Sequence, residues 1–220
     1  MPTIPPNPMP YRPWQPQGTV YGTLLNFRRE CDLWGPRMTQ DPHKAAPQAP
    51  ILYVKSANTF SPDGQALLLQ DGVSDVDIGA TLGLVIGADG QVGAAALLCD
   101  WSVPHASYYR PPVKFRCRDG FLALPKQVTT GQVADWAALQ IEVRRNGERV
   151  QTVDLRELMR DLPTLLADVG EFMTLQVGDV LMVGTDCFDD GSRPRAKAGD
   201  RVEISAPGFS SVSVQVRGAA

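Results

Sequence analysis

Residues 77–120 read DIGATLGLVIGADGQVGAAALLCDWSVPHASYYRPPVKFRCRDG, and this stretch decides the fold. Its segment 80–86 (ATLGLVI) is apolar nearly throughout, the pattern of a strand covered on both faces. Gly87-Ala88-Asp89-Gly90 supplies a turn, while 91–98 is too short and mixed to assign by periodicity. One isolated acid, Asp100, follows in the apolar setting LLCDWSV. A carboxylate there is costly unless something pairs with it, so the stretch reads as a site as well as a core.

Outward from this stretch, short strands alternate with turns. Residues 18–27 (GTVYGTLLNF) are rich in β-formers and end in a loop at Asn26; 28–34 suit a short helix. A Pro- and Ala-rich connector runs to Pro50, then 51–55 (ILYVK) form a second strand and 67–69 a short one. Farther on, LQIEVRR, the hairpin signal Asn146-Gly147 and RVQTVD predict a β-ribbon. Apolar residues at i, i+3, i+4 spacing predict the one main helix over 155–172, which Pro163 either kinks or divides in two. VLMVG, RVEIS and SVSVQVRG are strands that close the chain. Many strands and one main helix predict an α+β, mainly β, domain. The organisation expected is a proline-rich arm at 1–17, a small N-terminal region at 18–70 and a β domain at 71–220. The arm carries Tyr11 and Trp14, which either dock on a neighbouring subunit or belong to a loose tail.

Composition narrows the function. The 220 residues are 43% hydrophobic and 20% charged with net charge -3, which gives no basic surface for nucleic acid or an anionic membrane. No apolar run approaches the roughly 18 residues of a membrane span, and the N-terminus lacks a signal-like apolar core, so a cytoplasmic protein is expected. Cys31, Cys99, Cys117 and Cys187 form no CxxC pair and read as free thiols. With only His43 and His105, a His-rich metal centre has almost no material. No Walker loop, GxGxxG or GxSxG is present.

Several segments, in order, resemble the fumarylacetoacetate hydrolase family: GTLLNF, the Lys-x-x-Asn-Thr run at 55–59, ATLGLVIG, LCDWS, YYRPPVKFRCRDGF, GEFMTLQVGD, VLMVGTD and AGDRVEI. Together they cover roughly residues 18–217. Within the family, CDWSVPHASYYRPPVKFRCRDG is most similar to the N-terminal half of the bifunctional decarboxylase/isomerases of 4-hydroxyphenylacetate (homoprotocatechuate) breakdown. The resemblance implies a mixed β-sandwich or roll, commonly dimeric. It implies a divalent cofactor, Mg²⁺ or Mn²⁺, held by a Glu-x-Glu pair and a later Asp, which chelates a 2-oxo acid and stabilises an enolate.

Carried onto this sequence, the two glutamates fall at Gly79 and Thr81, and the third ligand at Asp100 is retained. A metal in this chain is therefore expected to be absent or weak. Asp75 and Asp77 share the i, i+2 spacing but would lie ~13 Å off along a strand, which favours a solvated strand entrance over replacement ligands. The family's acid–base pair aligns with Glu30 and Leu33; the histidine is gone, and Glu30 is the remaining candidate for moving a proton. The family's lysine aligns with Arg116, which can bind an anion but not act as a base. Thr185, Lys55 and Arg110 are substrate-binding candidates, with Tyr108 and Tyr109 in the loop over the pocket. Plainer readings stand beside these. Asp100 pairs with Arg110 or Arg116 or caps a turn, Lys55 anchors a loop, and His105 lies on the surface.

The expected function is a subunit of a 2-oxo-acid decarboxylase/isomerase acting on 5-carboxymethyl-2-oxo-hex-3-ene-1,7-dioate and 2-hydroxyhepta-2,4-diene-1,7-dioate. The alternative is a catalytically silent structural partner of a metal-binding homologous subunit. A metal-independent anion-binding or hydrolytic module is a third reading. The partners expected are a homologous C-terminal-half-like subunit, or a second copy in a homodimer, and a small anionic 2-oxo acid.

Overall fold

The computed structural model describes residues 13–105 and 113–219. In chain order its strands are β1 (Val20–Leu24), β2 (Ile51–Lys55), β3 (Phe60–Ser61), β4 (Leu67–Leu68), β5 (Asp75–Asp77), β6 (Ala80–Ile86) and β7 (Val92–Asp100). They continue as β8 (Leu122–Ala123), β9 (Thr129–Thr130), β10 (Gln140–Arg145), β11 (Glu148–Asp154), β12 (Val180–Met182), β13 (Arg195–Lys197), β14 (Arg201–Ser205) and β15 (Val212–Arg217). The helices are α1 (Arg28–Met38), α2 (Val113–Arg116) and α3 (Leu162–Gly170).

A large mixed sheet has the order β2-β1-β12-β6-β7-β8-β3, with β9 added on β7. Its centre is the antiparallel β6–β7 pair, in one register from Ala80↔Cys99 to Val85↔Ala94 and shifted by a bulge before Ile86↔Val92. The run that resisted assignment at 91–98 is thus most of β7. Its alternation is invisible in sequence because both faces are covered. Ala95, Leu97 and Cys99 join a core with Leu82, Leu84 and Leu181. Ala96 and Leu98 join a second core with Val20, Tyr53, Leu122, Val180 and Met182 on the other face. Strand 80–86 is covered on both faces, as its composition predicts.

The first core is closed by a five-stranded sheet, β11-β10-β14-β15-β4, whose Ile141, Val143, Val202, Ile204 and Val214 face the large sheet. The expected hairpin at Asn146-Gly147 joins β10 to β11. Strands β5 and β13 form a small separate ribbon, Asp77↔Arg195 to Asp75↔Lys197. The fold is mainly β, and β1 and β2 share one sheet with β6, β7 and β12.

The helix expected over 155–172 is divided. A 3₁₀ turn, Leu155–Glu157, is followed by α3, whose N-cap Asp161 accepts from Thr164 N–H at 2.9 Å. Pro163 sits in the first turn, where its missing N–H costs nothing, so proline starts the helix instead of kinking it. α1 is longer than 28–34 predicts and runs through Pro36 to Met38. Of the arm, Trp14 N–H donates to Lys126 O at 3.1 Å and its ring packs on the second core. Among the described residues no helix is long and apolar enough to cross a membrane.

α3 is held by Leu162, Leu165 and Val169, all buried. Leu165→Ala is expected to cost about 2–5 kcal/mol, against less than about 1 kcal/mol for Thr164→Ala on its exposed side, read by urea denaturation.

Candidate functional site

Two buried charge clusters flank the β6 entrance. The first is built on Asp100, the last residue of β7, whose even parity points it to the second core. Its Oδ1 accepts from Lys55 Nζ at 2.8 Å, and its Oδ2 from Arg116 Nη1 at 2.7 Å and from the Tyr53 hydroxyl. Lys55 Nζ donates also to Phe121 O at 2.8 Å and to Arg116 O. The Asp100 and Lys55 side chains are fully buried and that of Arg116 is 2% exposed. Tyr53 and Lys55 share a face of β2 by their i, i+2 spacing. A side chain at Gly22 would collide with the Tyr53 ring, its Cβ falling 2.1 Å from Cζ, so this glycine is what lets the ring lie over β1. Arg116 then stacks on that ring, 5.0 Å from its centroid.

Burial pushes the Asp100 carboxyl up, but Lys55 and Arg116 outweigh it and hold the group below the ordinary carboxylate value. Burial pulls the Lys55 ammonium down against the attraction of Asp100. Burial, reinforced by Asp100, raises the Tyr53 hydroxyl well above its usual value.

The second cluster joins Glu30 and Thr185 through Arg193. Arg193 Nη2 pairs with the buried Glu30 carboxylate and donates to Thr185 O at 3.2 Å, while Nε donates to Thr185 Oγ1 at 3.1 Å. Glu30 Oε2 also accepts from Leu25 N–H at 3.2 Å. Gly79 stands where the clusters meet. A Cβ there would fall 2.4 Å from Asp100 O and 2.9 Å from Thr185 Cγ2. Thr81 is fully buried, with its hydroxyl on Leu82 O at 3.4 Å.

Beside the second cluster opens a cleft of about 460 Å³, lined by Leu33 and Arg37 of α1, by Asp77, His105, Arg193 and Arg195. Burial raises the Asp77 carboxyl, with Arg193 and Arg195 opposing. Asp75 and Asp77 pair with Arg195 at 3.5 and 3.3 Å. Among the described residues no three His, Cys, Asp or Glu side chains gather to hold a metal ion.

Of the candidates from sequence, Lys55, Asp100 and Arg116 come together, as do Glu30 and Thr185. Arg110, Tyr108 and Tyr109 lie outside the described residues. Tyr53 and Arg193 were not singled out. Tyr53 carried a signal, its shared parity with Lys55, whereas Arg193 sits in an irregular loop where no periodicity marks it.

The match to known proteins covers nearly the whole chain. The model of the Fumarylacetoacetate (FAA) hydrolase C-terminal family matches residues 19–217. The chain belongs to the fumarylacetoacetate hydrolase family. It is 32% identical over 203 residues to the 4-hydroxyphenylacetate degradation bifunctional isomerase/decarboxylase of Escherichia coli, covering 88% of this chain and 46% of that protein. It is 26% identical over 177 residues to a mitochondrial oxaloacetate tautomerase of Rattus norvegicus, covering 73% of this chain and 53% of the relative. The chain thus spans about half the length of these curated relatives. Among solved structures, fumarylpyruvate hydrolase from Pseudomonas aeruginosa, in complex with Mn²⁺ and pyruvate, has a TM-score of 0.73 at 19% identity, covering 92% of this chain and 90% of that one. The 5-carboxymethyl-2-hydroxymuconate delta-isomerase of Mycobacterium smegmatis has a TM-score of 0.72 at 19% identity, covering 92% of this chain and 79% of that one. At these identities the structural matches establish the fold of this family member.

Asp100→Asn leaves two buried cations short of their counter-charge and is expected to cost about 3–5 kcal/mol at pH 7. Because the folded state lowers the Asp100 value, its contribution is complete above the unfolded value of 3.8 and is lost as pH falls through the lower folded one. Denaturation of both proteins from pH 7 to pH 3 checks this: the gap should hold at the upper end and narrow at the lower.

Proposed function

We propose that this chain is the metal-free subunit of a 2-oxo-acid decarboxylase/isomerase of aromatic (4-hydroxyphenylacetate/homoprotocatechuate) catabolism. It acts with a homologous subunit carrying an intact Glu-x-Glu and Asp set, on 5-carboxymethyl-2-oxo-hex-3-ene-1,7-dioate and 2-hydroxyhepta-2,4-diene-1,7-dioate. The 32% identity to one half of a bifunctional isomerase/decarboxylase supports the pathway.

The observation that carries the metal-free reading is the state of Asp100. A divalent ion of the Mg²⁺ or Mn²⁺ kind needs carboxylate oxygens with free lone pairs. Both oxygens of Asp100 already accept from Lys55, Arg116 and Tyr53. At 79 the main chain of Asp100 fills the place of a side chain, and at 81 only a neutral hydroxyl is present. The donor set does not fit the ion.

The pocket keeps groups suited to an anion. Arg193, Arg195 and Arg37 line the cleft with planar guanidinium donors that suit carboxylates. Glu30 and Thr185 orient Arg193, so their role is to fix a cation. The step in which CO2 leaves and an enolate must be stabilised belongs to the metal-bearing partner.

The purified chain with Mg²⁺ is expected to release no CO2 from the 2-oxo-hexene dioate above buffer, and the mixture with its homologous partner is expected to turn over. Turnover by the chain alone at the rate of the mixture would contradict the reading. Arg195→Gln separates a contributing pocket from a silent partner: it should lower activity of the mixture in the first case and leave it unchanged in the second.

A further inference from the structure

The arginine-lined cleft runs along one side of α1, where Leu33 and Arg37 project. Helical spacing puts Cys31, Gly35 and Met38 on an adjoining side, at i, i+4 and i+7, and there they line a separate cavity of about 500 Å³. That volume lies in the range that holds a small molecule. Trp34, between the two sides, lines both spaces. Its indole is held in place: Arg37 stacks on it at 5.2 Å, and His43 meets it edge-on with ring centroids 6.1 Å apart.

The wall of this cavity is apolar and continuous with the second core. Leu24, Leu25 and Met38 are buried members of that core, and Cys31, Trp34 and Ile51 pack against it. Met159, 45% exposed, stands at the open side. Cys31, Met38 and Met159 all carry sulfur, which is polarizable and packs well on aromatic rings. Burial, with Glu30 adding to it, raises the Cys31 thiol, so this group lines the wall uncharged.

The backbone of the wall is strained at one point. Leu25 has φ 56°, in the left-handed region that a bulky side chain rarely adopts. Two side chains of α1 hold it there: Glu30 Oε2 accepts from its N–H at 3.2 Å, and Cys31 Sγ donates to its carbonyl at 2.8 Å. Strain of this kind persists only where the surroundings impose it, and it collects at ligand sites. Here the strained residue is itself part of the cavity wall.

Few polar groups reach the space. Asp32 is exposed to water. Arg160 donates Nε to Asp168 Oδ2 at 2.7 Å and Nη2 to Gln48 O at 2.7 Å, while its Nη1 makes no hydrogen bond among the described residues. The side chain is 21% exposed, and Nη1 is not buried. A guanidinium edge of this kind suits a carboxylate.

We propose that this cavity binds a compact apolar monocarboxylic acid, of the size of an aryl-alkanoic acid. Its ring lies among Leu25, Trp34, Met38 and Ile51, and its carboxylate takes Arg160 Nη1. The apolar wall offers nothing to a second carboxylate, so the site selects against the dicarboxylic acids that suit the cleft. The inference does not depend on the metal-free reading of that cleft, and no reaction is assigned to the cavity.

The test is isothermal titration calorimetry of the purified chain with 3-phenylpropionate as the probe, 3-phenylpropanol as its uncharged analogue and succinate as a dicarboxylate. One 3-phenylpropionate per chain is expected, undisplaced by succinate. The alcohol should bind about tenfold or more weakly, because it lacks the charge-assisted bond. Arg160→Gln should remove that difference by weakening the acid alone. Ala46→Trp and Ala49→Trp, on the exposed connector that lines the cavity, should each fill the space and abolish binding of both compounds with the circular dichroism unchanged. No binding of 3-phenylpropionate would overturn the proposal. Equal affinity for the acid and the alcohol, displacement by succinate, or undiminished binding in the folded tryptophan variants would overturn it as well.

Discussion

The constraint on which the site depends is the pairing of one buried carboxylate with two buried cations. Asp100, Lys55 and Arg116 come from β7, β2 and α2, and Tyr53 from β2 completes the shell. None of these charges can return to water without opening the second core. Such a cluster is weak evidence of added stability, because desolvation offsets most of the attraction. Its consequence is geometric: the ends of β2 and β7 and the turn of α2 are held in one arrangement, and both carboxylate oxygens are already engaged.

The second cluster repeats this logic on the other side of Gly79. Glu30 and Thr185 hold Arg193 at the edge of the cleft. The glycine is required because the Asp100 carbonyl and the Thr185 methyl close on it from two directions. Gly79 thus serves as the contact between the two ion-pair clusters. The cleft beyond them retains arginines, an imidazole and an acid, a set suited to binding anions and moving protons.

Much of this was legible in the sequence, and for physical reasons. The run ATLGLVI announced a strand covered on both faces, and Asp100 announced a paired charge because an unpaired one would not survive there. The pairing with Arg116 is the plainer of the two readings its setting allowed. β7 escaped assignment because alternation vanishes when both faces are buried, and α3 was overextended because apolar spacing continues through the 3₁₀ turn that Asp161 and Pro163 separate from it. Arg193 was illegible: its position depends on a long-range meeting of α1 with the loop after β12, and nothing local encodes that.

The most direct test of the account is a Mn²⁺ titration of the isolated chain followed by electron paramagnetic resonance, with Asp100→Asn alongside. The account predicts that the free Mn²⁺ signal grows from the first addition, equally in both proteins. One stoichiometric bound ion per chain, lost in Asp100→Asn, would contradict it.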